Sequence, residues 1–153
     1  DFTLVANWNS TDVTKVPQTQ ELEALDPAPV LFDRVNVLTF EEGTPKDKLA
    51  AVVNWSLDRF SGTLRATRYG EVLDPGTAAN LDFELGAETL VDLEARFDAT
   101  ERIRFALGAE NVFDEYPDAF PVARNTTGNT PFSNYAPFGR SGRFLYGRVS
   151  FGF

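Results

Sequence analysis

The stretch TLVDLEARFDATERIRFALGAE, residues 89–110, decides how this chain folds. In its first half Thr89, Val91, Leu93, Ala95 and Phe97 alternate with Leu90, Asp92, Glu94 and Arg96. In its second half Ile103, Phe105, Leu107 and Ala109 alternate with Arg102, Arg104, Ala106, Gly108 and Glu110. A period of two puts successive side chains on opposite sides of an extended backbone, so each half predicts a strand with one apolar and one charged face. Both apolar rows are odd-numbered, and directly opposed residues of a hairpin share a face, so the connecting loop must hold an odd number of residues. Asp98, Ala99 and Thr100 are the expected three.

The same rhythm recurs outward in both directions. Phe2, Leu4, Ala6 and Trp8 alternate with Thr3, Val5, Asn7 and Asn9. Leu49, Ala51, Val53, Trp55 and Leu57 alternate with Ala50, Val52, Asn54 and Ser56, and Phe60, Leu64 and Ala66 with Ser61, Thr63, Arg65 and Thr67. The chain closes with Leu145, Gly147, Val149, Phe151 and Phe153 against Phe144, Tyr146, Arg148, Ser150 and Gly152. Six strands are predicted, near 1–11, 48–57, 60–69, 89–97, 101–112 and 143–153. They are longer than the usual strand of about five or six residues and close to the length a tilted membrane strand needs. Parity allows two or four residues between strands two and three. Because Asp58-Arg59 lacks the Gly or Asn of a type I′ turn, four residues, Ser56 to Arg59, are expected. The remaining connections, Asp12–Asp47, Gly70–Glu88 and Phe113–Gly142, are long and rich in Pro, Gly and Asn. Short turns therefore fall at one end and long loops at the other. Val35 to Phe40 is expected to add a short strand to the first loop.

Composition narrows the chemistry. The 153 residues contain no Cys and no His, which removes thiolate and imidazole catalysis, disulfides and the usual zinc and haem ligands. No apolar run approaches the roughly 20 residues of a membrane helix. No Met occurs, position 1 included, so a processed or partial product is expected. The formal charge of -9 is concentrated in the loops: residues 12–47 hold eight acids against three bases, and residues 69–88 five against none. Such loops make nucleic acid an unfit partner.

A one-sided apolar row on every strand, short turns opposite long loops, and a terminal aromatic residue describe an outer-membrane β-barrel. The stretches FEEGTPKDKL, RYGEV, LVDLEARF, ERIRFALGAENVFDEYPD and PFGRSGRFLYGRVSFGF resemble the C-terminal third of TonB-dependent outer-membrane receptors. The similarity spans most of Phe40 to Phe153 and, more weakly, Asp1 to Thr11. It includes the NLFD-type motif at Asn111, Val112, Phe113 and Asp114 and the terminal Phe.

The resemblance implies that residues 1–153 are a C-terminal segment of an all-β, antiparallel transmembrane barrel, without the plug domain and without the segment that binds TonB. The implied role is import of a scarce nutrient, such as a metal chelate, cofactor or oligosaccharide, across the outer membrane of a Gram-negative bacterium. The implied partners are outer-membrane lipid, the rest of the same receptor with its plug, the TonB system, the barrel-assembly machinery and a small-molecule substrate. No enzyme activity and no resident cofactor or metal are expected. Asp92, Glu94, Arg96, Arg102, Arg104, Glu110, Tyr146 and Arg148 are expected to face the lumen, while Val91, Leu93, Ala95, Ile103, Phe105, Leu107, Val149 and Phe151 face lipid. Ala106 is expected to accept an Arg where space permits. Leu145, Val149, Phe151 and Phe153 resemble the C-terminal signal read during barrel assembly.

Each assignment has a plainer competitor. Paired acids such as Asp92 and Glu94 share a strand face as glycosidase carboxylates do, but a wall carrying both signs accounts for all of the charged residues together. Asp114, Glu115 and Asp118 offer oxygen ligands for a hard cation or form a solvated acidic loop. Trp8, Trp55, Phe97 and Tyr146 are girdle candidates or simply packed. The competing reading of the whole is a soluble all-β module that binds ligand with its long loops.

Overall fold

A computed structural model of the chain describes residues 1–17, 19–122, 124–125, 128 and 131–152. Six strands form one antiparallel sheet: β1 (Phe2–Trp8), β2 (Asp47–Leu57), β3 (Phe60–Tyr69), β6 (Glu88–Asp98), β7 (Ile103–Glu110) and β8 (Phe144–Phe151), in the order β1-β2-β3-β6-β7-β8. A second, two-stranded sheet pairs β4 (Val72–Asp74) with β5 (Phe83–Leu85). Two helices, α1 (Gln20–Glu23) and α2 (Arg34–Glu42), lie between β1 and β2. The large sheet is open, with β1 and β8 as its edges.

Pairing parity is as read from the sequence, but both turns differ in detail. Leu57 pairs directly with Phe60, so the β2–β3 turn has two residues, not the expected four. Asp58 makes this possible by adopting a φ of 50°, since a short polar side chain tolerates the left-handed region better than most. In the second hairpin Phe97 pairs with Phe105 and Asp98 with Arg104, and the Ala99 amide donates to the Ile103 carbonyl at 3.0 Å. The three-residue loop is therefore Thr100, Glu101 and Arg102, shifted two residues along the chain. Thr100 fixes it there, because its hydroxyl oxygen accepts from the amides of Arg102 at 3.2 Å and Ile103 at 3.1 Å. A shift of two leaves every side chain on its expected face.

The short strand expected over Val35 to Phe40 is replaced by α2. Asp33 caps that helix, its carboxylate accepting from the Asn36 amide at 2.9 Å, which is the local signal that starts a helix. All three long connections leave the same end of the sheet and are joined in a cap. Val72 and Leu85, both buried, pair across β4–β5. Asp74 accepts from the Ser133 hydroxyl at 2.6 Å and from Arg124 at 3.2 Å. Arg34 grips Asp82 through both guanidinium nitrogens, at 2.9 and 2.6 Å, and also donates to the Gly76 carbonyl at 2.6 Å. Thr39 and Tyr135 share a hydroxyl hydrogen bond of 2.8 Å. These contacts tie α2, the β4–β5 hairpin and the 111–143 connection to one another.

No other element packs on the large sheet among the described residues. Among the described residues the buried apolar side chains are Val72, Leu85 and Ala106, of which only Ala106 belongs to this sheet.

Candidate functional site

The ladder assigns every strand residue to one of two faces. Phe2, Leu4 and Ala6 of β1 oppose Val53, Ala51 and Leu49 of β2. Ala51, Val53 and Trp55 oppose Ala66, Leu64 and Gly62 of β3, which in turn oppose Val91, Leu93 and Ala95 of β6. Ala95 and Phe97 oppose Leu107 and Phe105, and these meet Gly147 and Val149 of β8. One face is thus apolar across all six strands, and its side chains are open: Leu107 is 71% exposed and Trp8 74%. From Leu49 to Leu57 the apolar row of β2 runs for about 26 Å along the strand. A tilt of roughly 40° reduces that to about 20 Å of height, close to the apolar band of outer-membrane barrels.

Both ends of this face are marked. At the turn end Leu57, Phe60, Phe97, Phe105 and Val149 stand in one register row across five strands, with the Phe60 and Phe97 rings 4.9 Å apart. Trp55 lies over Gly62, where a side chain would collide with the indole. At the loop end the apolar residues give way to Trp8 and to an ion pair between Arg68 and Asp47. Trp8, Trp55 and Phe97 are therefore near the borders of the apolar face. Tyr146 points from the opposite face. Phe60 and Phe105 complete the aromatic row; their positions in the alternation gave the face, and only the register shows that they align.

The opposite face carries charge centred on Glu94. The row Thr63, Glu94, Gly108, Tyr146 crosses four strands. Tyr146 lies across Gly108, where any side chain would overlap the phenol ring, and its hydroxyl donates to Glu94 at 2.7 Å. Arg148 reaches both Glu94 oxygens, at 3.2 and 3.1 Å, and Arg96 pairs with the same carboxylate while donating to the Thr63 hydroxyl at 3.1 Å. Glu94 is consequently only 9% exposed. Beside it a depression of about 190 Å³ is bordered by Arg65, Asp92, Glu110 and Tyr146. Asp92 and Glu94 both serve as structural acceptors, since Asp92 takes the Asn111 amide at 2.9 Å and faces Arg65 at 3.9 Å.

The eight residues expected on the polar row separate as follows. Asp92, Glu94, Arg96, Arg104, Glu110, Tyr146 and Arg148 lie in strands on this face. Arg102 is in the β6–β7 turn, not in a strand, because Thr100 holds the loop there. Ala106 does not offer the space expected of it: it is 3% exposed, directly opposed by Arg96 and Arg148, so a third guanidinium would meet two others. Of the expected C-terminal signal, Leu145, Val149 and Phe151 line the apolar face of β8, and Phe153 lies outside the described residues.

The NVFD motif forms the root of the β7–β8 connection. Asn111 adopts a φ of 51°, and the Val112 amide donates to the Val91 carbonyl at 2.7 Å, so the ladder slips by one residue there. The Asn111 side chain both donates to the Glu115 carbonyl at 2.7 Å and accepts from its amide at 2.9 Å. Asp114 accepts from the Arg143 amide at 2.7 Å, which fastens the loop's start to its end. Asp118 accepts from the Gly86 amide at 2.7 Å. Both carboxylates thus cap backbone amides, and among the described residues no group of three or more acids converges as a cation site.

No protein family, curated protein or solved structure matches this chain.

Proposed function

We propose that the chain is a stretch of wall from an energy-coupled outer-membrane receptor of the TonB-dependent kind, serving import of a scarce nutrient such as a metal chelate, cofactor or oligosaccharide. In this reading the apolar face meets lipid, the Glu94 face lines the lumen, the short turns lie on the periplasmic side and the loop cap lies outside. β1 and β8 continue into the rest of the barrel, which carries the plug and the TonB contact.

One observation carries the reading: six adjacent strands present an apolar face that, among the described residues, no other element covers, backed by a charged face. Five inter-strand spacings of about 4.8 Å and a length of about 26 Å along the strands give an area on the order of 600 Å², at the upper end of what a soluble monomer exposes. A soluble binding module with this sheet needs a second layer to bury that surface.

The test is accessibility. Spin labels are placed at Leu107, on the apolar face, and at Ser150, an exposed position of the polar face, in chain reconstituted into lipid. A lipid-soluble quencher should reach the first and not the second. Equal accessibility at the two positions refutes the facing and the membrane reading with it, while stable monomeric chain in buffer without detergent would favour the soluble module.

A further inference from the structure

We propose that a cleft where the cap meets the polar face of the sheet binds a small organic ammonium ion. The cleft has a volume of about 120 Å³, and its walls include Tyr116, Phe138, Pro117, Pro137, Glu88 and Asp118. Among the described residues no base borders it. Glu88 opens β6 with the parity of Asp92 and Glu94, and the β7–β8 connection supplies the others. The Gly86 amide, which donates to Asp118 at 2.7 Å, joins the two sides. Each ring is braced by another, Tyr116 by Phe132 at 6.0 Å and Phe138 by Tyr69 at 5.8 Å, so their positions are set without a ligand. The site needs only the folded cap and stands apart from the membrane reading.

The ligand class follows from charge and wall chemistry together. Each carboxylate accepts from a backbone amide, Glu88 from Thr89 at 2.8 Å and Asp118 from Gly86, but a neutral amide leaves the negative charge uncompensated. Neither acid has an ion pair among the described residues. Lys48 stands on the same register row as Tyr69 and Glu88, with its ammonium 4.6 Å from the centre of the Tyr69 ring. Two acids against this one base still leave the neighbourhood negative, and Lys48 shows that the ring cluster accepts an ammonium. A hard metal ion fits poorly, since calcium takes about six to eight oxygen ligands and the cleft sets two carboxylates among rings and prolines. A neutral polyol would leave both charges unanswered. A methylated ammonium carries its positive charge on an apolar surface, so it engages the rings and the carboxylates at once. The volume is roughly that of four waters, enough for one such group.

The experiment uses the full chain in maltoside micelles at constant ionic strength and reads binding by titration calorimetry. The probes are choline, its uncharged carbon isostere dimethylbutanol, glucose and calcium. Choline should bind about tenfold more tightly than dimethylbutanol, the effect of a partly desolvated cation over a ring. Glu88→Gln with Asp118→Asn keeps an acceptor for each amide and should bring choline down to the level of dimethylbutanol. Phe138→Leu keeps apolar bulk without the ring, and should weaken choline several-fold while leaving dimethylbutanol nearly unchanged. Glu21→Gln with Glu23→Gln, an equal loss of charge in α1, should change neither. Absent choline binding, equal affinity for choline and dimethylbutanol, an unchanged choline affinity in the carboxylate variant, or an equal loss in the α1 variant overturns the site. Displacement of choline by calcium or by glucose at similar concentration overturns the ligand class. The Leu107 label reports on the membrane reading independently, because the cleft borders no residue of the apolar rows.

Discussion

Gly108 is bare because Tyr146 occupies the space above it. The phenol crosses β7 to reach Glu94 on β6, so three strands are held by one side chain and one hydrogen bond. Gly108→Val should therefore destabilise the folded sheet by about 1–3 kcal/mol, the usual effect of overpacking, measured as a lowered unfolding midpoint in micelles. In a Tyr146→Ala background the obstruction is gone, and the effect of Gly108→Val should shrink markedly. Equal effects in both backgrounds would show that the ring contact is not what excludes a side chain at 108. Tyr146 and Glu94 were assigned to one face by alternation alone. Their contact was not legible, since it depends on register across β7, and the only local hint was a glycine interrupting an otherwise regular strand. Asp58 illustrates the same limit in the other direction, because the rule that asks for Asn or Gly in a two-residue turn overlooked how readily Asp enters the left-handed region.

At the scale of elements, the six strands were readable because each pairs a local alternation with a tertiary demand for a two-faced wall. The loop elements were not. α2 is set by the Asp33 cap within a segment whose apolar residues fit neither period cleanly, and the cap of loops is assembled by contacts distant in sequence, such as Arg34 with Asp82. That pair makes the cap sensitive to acid. Hydrogen bonds from Arg34, and then from the Gly76 amide, hold the Asp82 carboxyl at about 2, against an ordinary value of 3.8. The ionised form is favoured in the folded cap, so this contribution is complete above pH 3.8 and disappears as the pH falls toward 2. Limited digestion with pepsin should show the 76–82 segment becoming more susceptible across that interval. In Asp82→Asn the segment should be open at the top of the interval already and change little within it. A wild-type digestion profile that is flat from pH 4 to pH 2 would show that the pair does not hold the cap closed.

The whole molecule is a wall with two chemistries, and its large-scale behaviour should follow the apolar side. Leu93→Arg places a charge near the middle of the apolar face and should cost roughly 2–4 kcal/mol in lipid, whereas Ser56→Arg, at an exposed position of the polar face opposed by Ser61, should be close to neutral. The comparison is read as the folded fraction recovered after reconstitution, and equal losses would contradict the assignment of faces. β1 and β8 also leave backbone donors and acceptors unpaired along both edges, a surface that invites further strand pairing. In buffer without detergent the chain should therefore associate, which sedimentation would reveal as a concentration-dependent mass.

The alternation of turn and loop lengths bears on the order of assembly. β2 with β3 and β6 with β7 are joined by two or three residues, and hairpins of that kind close in about 1–10 µs. Residues 9–46 must be gathered before β1 can join its neighbour, and residues 111–143 before β8 can, while each doubling of loop length adds about 0.6 kcal/mol of closure entropy. The nascent sheet is then two ready hairpins with a late strand at either flank. The strands left open longest are the same two whose edges are exposed in the finished sheet, so a chaperone guarding this segment would do most good by covering β1 and β8.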